Sequence, residues 1–448
     1  MDMDDKRTNM TVDLLREMIR NECVNDGQVE SGEEVRNSDL LQTYLEGAGL
    51  DVETFEPAPG RKSMVARIEG TDPDAPAVCL MGHTDVVPVS PDGWHEDPFG
   101  GELIDGEVWG RGAVDMLCLT SSMAVAFKHL ATSDFRPKGD LVYFGVADEE
   151  AGGTWGAKWI ADNHWDAIRS DFVLTEFGGF PTQTADGHAI TISVAEKGLG
   201  WQRLHVKGTP GHGSRPYGSD NALVRAAEVV RRLSEYRPVP QVHDLWKVQV
   251  DNMDVDDDVK HQLLDPASLD AALADLPDQE KAASLHACCH TTFSPNVIEG
   301  GRKTNIIPDE VYVEVDIRTL PGETRADVQA HLRAALGDEL YDGLDVEPIQ
   351  EDEASASPVD THMWNVLADI IDTAHPGSPL QPGLIVGGTD SRFFREKGAV
   401  AYGAGLFSPK VTYETFAKRF HGHDERVDVE SLGLSTQLWI DVAHRFWE

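Results

Sequence analysis

The chain has 448 residues, more than one compact core accommodates, so two domains are expected. Its 78 acidic side chains against 38 basic ones leave a net charge of −40, a surface that repels nucleic acid and anionic membrane and excludes both as partners. Hydrophobic residues make up 40%, no run approaches the ~20 apolar residues of a membrane span, and the charged start lacks the apolar core of a signal peptide, so a cytoplasmic protein is expected. From the amino end, residues 12–22 and 38–48 space their apolar side chains as amphipathic helices do. Strand-like runs follow at Ser63–Ile68, 77–81, 140–147 and 171–175, with helical patterns at 116–130 and 154–163 between them. Strand alternating with helix predicts an α/β domain, a mostly parallel sheet flanked by helices on both faces. In such sheets ligand sites form beyond the carboxyl ends of the strands. His83, Glu149, Glu150 and Glu176 all stand just past such ends.

From residue 191 the pattern changes. A strand at 199–207 precedes the turn Gly208-Thr209-Pro210-Gly211-His212-Gly213. A helix at 220–234, strands near 291–299 and 310–318, a helix at 323–335 and a strand at 344–350 follow. This β-α-β-β-α-β order predicts a small inserted α+β domain. It is interrupted over 236–290 by an acidic helical insertion whose run Asp254, Asp256, Asp257, Asp258 reads as a solvated face. The expected division is 1–190 and 355–448 for the parallel-sheet catalytic domain, closing with a helix at 429–446, and 191–354 for the inserted domain.

Five stretches place metal-binding side chains at or after hydrophobic runs: His83-Thr84-Asp85, Asp115, Glu149-Glu150, Glu176 and His421. Two histidines and several carboxylates, with no cysteine among them, make the donor set of a hydrolytic centre holding two zinc-like ions. Asp85 lies two residues beyond His83, on the same side of an extended chain, where it can hold the second ring nitrogen; a core histidine beside an acid fits equally. Asp115 leads a helical pattern, as a helix cap or as a carboxylate bridging two cations. Glu149 and Glu150 are either a solvated acidic turn or a pair that divides two roles, one binding metal and the other taking a proton from water. Spacing alone does not choose between His421 and His423.

In this order the segments resemble those of the co-catalytic zinc aminoacylases and peptidases, a family that includes aminoacylase, carboxypeptidase S, acetylornithine deacetylase and succinyl-diaminopimelate desuccinylase. The resemblance runs over roughly 11–445. It implies two divalent ions per subunit, zinc with cobalt or manganese as alternatives. His83 and Glu176 would bind one ion, Glu150 and His421 the other, and Asp115 would bridge them. Glu149 would be the general base and Asp85 the partner of His83. The family's closing motif, H-x-x-(Asp or Asn)-Glu, selects His421, and a cis peptide after Asp115 is implied. The turn around His212 resembles one whose histidine reaches the active site of a partner subunit. That makes the inserted domain a lid and dimerisation domain, the protein a homodimer, and His212 the stabiliser of the oxyanion. Asn305 and Arg318 match contacts to a substrate carboxylate, and the segment 386–392 would line the same pocket, with the backbone near Gly388 meeting substrate.

Desuccinylases usually carry Gly-Gly-Thr-Ser-Asp-Gly-Arg where this chain has the shorter Gly387-Gly388-Thr389-Asp390-Ser391-Arg392. The segments Glu196-Lys197-Gly198, Gly211-His212-Gly213-Ser214 and Thr389-Asp390 look more like carboxypeptidase S and the aminoacylases. The expected activity is hydrolysis of the amide bond of an N-acyl amino acid or small peptide. Acetylornithine deacetylation or succinyl-diaminopimelate desuccinylation is the alternative, and a non-catalytic metal-binding scaffold of the same fold a third. The charge excess, with Arg above Lys and Asp above Glu, reads as adaptation to concentrated intracellular salt, which screens self-repulsion. Five cysteines without a C-x-x-C pair read as free buried thiols.

Overall fold

The structure, a computed structural model, describes residues 3–184 and 187–448. The chain divides into two compact units: Met1–Val194, Ser357–Gly383 and Thr389–Glu448 form the first, Ala195–Ala356 and Leu384–Gly388 the second.

In the first unit four parallel strands lie in the order Leu141–Val146, Val78–His83, Phe172–Thr175 and Val400–Gly403. Leu141–Val146 and Val78–His83 are buried at every position, which is the pattern of strands covered on both faces. One face packs Cys79, Met81, Phe144 and Val173 against Ile160, Phe393 and Phe394, from the helices Ala157–Asn163 and Ser391–Glu396. The helix Leu117–Ala131 packs on Val78–His83 and also meets Met3–Arg20 and Val429–Phe446. It is therefore buried nearly all round, as a helix held between a sheet and other helices must be. Trp439 is fully buried and its indole N–H donates to Ser122 Oγ at 2.8 Å.

The parallel core has antiparallel flanks that the strand–helix alternation did not predict. Ser63–Ile68 and Val52–Phe55 add on one side, and Gly187–Glu196 with its hairpin partner Gly178–Thr184 on the other. In the two hairpins, Val52–Phe55 with Ser63–Ile68 and Gly178–Thr184 with Gly187–Glu196, the connection is too short for a parallel return, which needs a crossover of a dozen residues or so. A separate antiparallel ribbon joins Glu102–Ile104, Glu107–Trp109 and Arg426–Asp428. Its three-residue strands are too short to show a period.

The second unit holds a four-stranded antiparallel sheet in the order Thr292–Gly300, Glu310–Thr319, Gly198–Lys207, Leu344–Asp352. Glu310–Thr319 alternates buried and open residues along its length, the signature of a sheet with one packed face. Val313, Val315 and Leu204 meet Val229 and Leu332 from the helices Ala222–Glu235 and Arg325–Leu336. The acidic insertion is helical, with its own core of Trp246, Leu263, Leu273 and Leu285, and Asp254, Asp256, Asp257 and Asp258 are exposed. All five cysteines are free and buried. Among the described residues no helix is long and apolar enough to cross a membrane.

Candidate metal centre

Three parallel strands deliver side chains to one rim of the first unit. His83 ends its strand, Glu176 directly follows Phe172–Thr175, and Glu149 and Glu150 open a single helical turn two residues beyond Leu141–Val146. Two loops supply the rest. Asp115 precedes Leu117–Ala131, and its bond to Met116 is cis. His421 lies between the helix Tyr413–Arg419 and the strand Arg426–Asp428. That strand is paired with Glu107–Trp109, Arg426 opposite Trp109, which ties the distant carboxyl-terminal loop to the loop of Asp115.

The two oxygens of Asp115 face different histidines. Oδ1 lies 3.2 Å from His83 Nε2, and Oδ2 lies 3.0 Å from His421 Nε2. Each histidine has a second carboxylate: Glu176 Oε2 is 3.5 Å from His83 Nε2, and Glu150 Oε2 is 3.4 Å from His421 Nε2. The donor atoms of His83, Glu149 and Glu176 also lie within 4.8 Å of one another, as do those of His83, Asp115 and Glu150. The Nδ1–H of His83 donates to a carbonyl at 3.0 Å, which turns the Nε2 lone pair towards the carboxylates.

Positive charge is short here. Burial pushes Glu149 well above the ordinary carboxylate range, with the charge of Glu176 adding to it. Burial likewise raises Glu150 to about 7 and Glu176 to about 8. Asp115 moves down in spite of burial, because both histidines bond to it. His421 rises to about 10: burial opposes the shift, and the bonds to Asp115 and Glu150 outweigh it. Glu150 Oε1 is buried without a hydrogen-bond partner. Four carboxylates around two imidazoles, with an orphaned buried oxygen, suit a pair of divalent cations, and mixed oxygen and imidazole donors accept zinc, cobalt or manganese.

Around this cluster lie residues with positioning roles, most of which the sequence pattern did not single out. Asp85 was expected to hold His83 through its carboxylate. Instead its backbone carbonyl takes the His83 bond, while Oδ1 stands 3.6 Å from the ring. The carboxylate, fully buried, accepts the backbone N–H groups of Glu149 at 3.3 Å and Glu150 at 3.1 Å and the amide of Asn25 at 2.9 Å. Behind it, buried Arg61 pairs with Glu34 at 2.6 Å and with Asp148 at 3.4 Å. Arg392 donates to the carbonyl of Gly152 at 2.8 Å, tying down the far end of the Glu149 turn. Gly153 closes that turn with φ +72, and a Cβ there would lie 2.4 Å from Asp390 Oδ1. Glu425 braces the other side: Oε1 accepts the N–H of Val114 at 2.8 Å and of Asp115 at 3.2 Å, and Oε2 binds Arg111 at 2.6 Å. Arg111 also donates to the carbonyl of His421 at 3.3 Å. Glu425 belongs to the closing H-x-x-(Asp or Asn)-Glu pattern, a signal that marked it without a role; nothing in the pattern marks Asn25, Glu34 or Arg61.

His212, Asn305, Arg318 and Gly388 belong to the second unit. His212 pairs with Ile306 in a short ribbon, and the adjacent Gly213 N–H donates to the carbonyl of Asn305 at 2.8 Å, so the first two are neighbours. His212 is exposed; its Nδ1 accepts the Ser214 N–H at 3.2 Å, which places the ring proton on Nε2. Arg318, expected to face a substrate carboxylate, instead binds Asp316 two residues along its own strand, at 2.7 and 3.2 Å. Lys197, in a segment that pointed to the substrate branch, is buried. It donates to the carbonyls of Ala287 at 3.0 Å and His290 at 2.7 Å, a structural task.

The chain matches the family model described as Peptidase family M20/M25/M40 over residues 79–445. It is 27% identical over 399 residues to the N-fatty-acyl-amino acid synthase/hydrolase PM20D1 of Xenopus tropicalis, covering 86% of this chain and 75% of that protein. It is 25% identical over 411 residues to aminoacylase-1 of Sus scrofa, covering 89% and 88%. Its fold is similar to that of the M20 family metallo-carboxypeptidase Sso-CP2 of Sulfolobus solfataricus, with a TM-score of 0.71 at 16% identity over 100% of this chain and 99% of the other.

Proposed function

The chain belongs to peptidase family M20/M25/M40, and on that premise we propose that it is a two-metal hydrolase that cleaves the amide bond of N-acyl amino acids or small peptides. One observation carries the proposal: Asp115 turns one oxygen to His83 and the other to His421, and each histidine has its own glutamate. His83 and Glu176 would hold one ion, His421 and Glu150 the other, and Asp115 both, with zinc the proposed metal and cobalt or manganese able to replace it. Bound there, the cations supply Lewis acidity, polarising a carbonyl and making a water more acidic.

Glu149 is the general base. It accepts the proton of the water as oxygen attacks the scissile carbonyl carbon, then passes that proton to the departing nitrogen as the C–N bond breaks. The Asp85 carboxylate holds the backbone of Glu149 and Glu150 in place for these tasks. Val114, Leu119, Phe177, Phe180 and Phe416 close tightly around Asp115 and Glu176, and Phe180 stacks on Phe407 at 4.1 Å. The acyl amino acid hydrolases among the relatives support an acyl amino acid substrate.

Glu149→Gln is expected to lower kcat by about 10²–10⁴-fold while two ions per chain remain by elemental analysis. A near-normal rate would remove Glu149 from the base role; a fully loaded wild type with one ion or none would remove the two-metal reading. The assay is a panel of N-acyl amino acids, dipeptides, acetylornithine and succinyl-diaminopimelate in high salt, with chelator abolishing turnover and zinc or cobalt restoring it.

In the same proposal the protein is a homodimer through its second unit, and His212 donates its Nε2–H to the oxyanion formed in the partner's active site. Asn305 and Gly388 would meet the substrate, and so would Arg318, once a substrate carboxylate replaces Asp316. Exchanging subunits between His212→Ala and Glu149→Gln proteins should restore part of the activity. Verified exchange without recovery would refute action in trans.

A further inference from the structure

The two histidines of the centre are steadied in different ways. His83 is buried, and its Nδ1–H donates to the carbonyl of Asp85 at 3.0 Å, which fixes the ring as well as the tautomer. His421 stands at an exposed position. Its close carboxylates, Asp115 and Glu150, both face Nε2, and among the described residues none bonds to its Nδ1. Arg111 holds the backbone carbonyl of His421 but not the ring. A different contact takes the place of that hydrogen bond. The Phe420 ring lies face to face with the imidazole, centroids 4.0 Å and planes 14° apart.

Phe420 is itself held. Phe177 meets it edge-on, at 5.2 Å and 67°, and Phe416, four residues earlier, packs on it at 5.5 Å. Phe416 also rests on Phe180 at 4.1 Å, and both are buried. Phe177 connects this group to the other ligand pair, because it directly follows Glu176. Its φ is +64, an outlier for so bulky a residue, and His421 has φ +52. Such conformations persist where the surroundings over-determine them. Around Phe177 they do: the Ser193 hydroxyl donates to the Phe177 carbonyl. On the other side, a Cβ on Gly178 would lie 1.8 Å from the Gly403 carbonyl oxygen. The backbone is fixed on both sides, and it delivers the Phe177 ring to Phe420 and to Phe416, the latter at 6.0 Å and 89°.

On the two-metal reading above, we infer that Phe177 and Phe420 are positioning residues, an aromatic latch that holds the His421 ring for its cation and joins the Glu176 strand end to the His421 loop. An aromatic face does for His421 what a backbone carbonyl does for His83. Stacked and edge-to-face pairs favour one ring orientation. A ring without them loses more freedom when it binds, which weakens the site.

The test follows zinc release from the full-length protein. Wild type, Phe420→Leu, Phe420→Tyr, Phe177→Gly and His421→Ala are loaded with zinc at high salt, titrated with a competing chelator, and their ions counted by elemental analysis. Phe420→Leu keeps the bulk and loses the ring. In it, the ion that His421→Ala loses is expected to bind about 10–100-fold more weakly, the scale for losing a group that orients a metal-binding histidine. The other ion is expected to bind as in wild type. Phe420→Tyr should keep wild-type affinity for both. Phe177→Gly eases the backbone but removes the ring edge, and should weaken the same ion; unchanged affinity would take Phe177 out of the latch. Added to His421→Ala, Phe420→Leu should not change the remaining ion, whereas a general loosening of the fold would weaken it. Circular dichroism checks folding, and if Phe177→Gly unfolds the Phe420 variants decide alone. Wild-type affinity in Phe420→Leu, or equal weakening of both ions, would overturn the latch. A wild type with fewer than two ions refutes the two-metal reading; the latch then stands only if a single ion is lost in His421→Ala and weakened in Phe420→Leu.

Discussion

Asp85 shows how a single side chain can be placed correctly and yet act differently from its apparent role. Its position two residues after His83 made the ring the natural partner, but the backbone carbonyl reaches that nitrogen first, at 3.0 Å. The freed carboxylate then satisfies three donors, Asn25 and the N–H groups of Glu149 and Glu150. Asp85→Asn keeps the size but supplies one acceptor oxygen and turns an NH₂ towards N–H groups. An unsatisfied buried donor costs about 1–3 kcal/mol. The expected outcome is a lowered denaturation midpoint and a fall in kcat larger than any change in KM, with metal content retained. An unchanged midpoint and kcat would show that the glutamate turn does not depend on this carboxylate.

At the scale of elements, the ribbon of Glu107–Trp109 and Arg426–Asp428 has as much to do with the centre as the large sheet. The strand ends present His83, Glu149, Glu150 and Glu176, and the run of apolar strands predicted that presentation. The ribbon brings in His421 from far along the chain, and its strands are too short for any periodicity. Glu425 secures this join, bonded to Val114, Asp115 and Arg111, with the Arg111–Glu425 pair almost wholly buried. Removing one partner of a buried pair typically costs about 3–5 kcal/mol, because the other charge stays behind. Glu425→Ala is therefore expected to lose stability on that scale and to release its ions at lower chelator concentration than wild type. Metal retention equal to that of the wild type would show that the Asp115 loop holds its form without Glu425.

For the whole molecule, self-repulsion from a net charge of −40 sets how stability responds to salt. Raising ionic strength from about 0.1 M to about 1 M shortens the screening length from about 10 Å to about 3 Å. The unfolding midpoint of the metal-loaded protein is expected to rise across that range, in potassium chloride as in sodium chloride. A flat or falling midpoint would argue against adaptation to concentrated salt.

What the amino-acid order determined by itself was whatever repeats locally: alternating strands and helices, the β-α-β-β-α-β run of the second unit, and acids and histidines at the ends of apolar runs, where parallel sheets present their loops. Only the tertiary structure decided which atoms meet. It divided the oxygens of Asp115 between two histidines, moved the Asp85 carboxylate onto the glutamate turn, turned Arg318 to Asp316, and gave Glu425 and Arg61 buried partners. The physical reason is that periodicity reports the face a side chain occupies, whereas a buried charge takes whichever partner the packing of distant segments brings within hydrogen-bond reach.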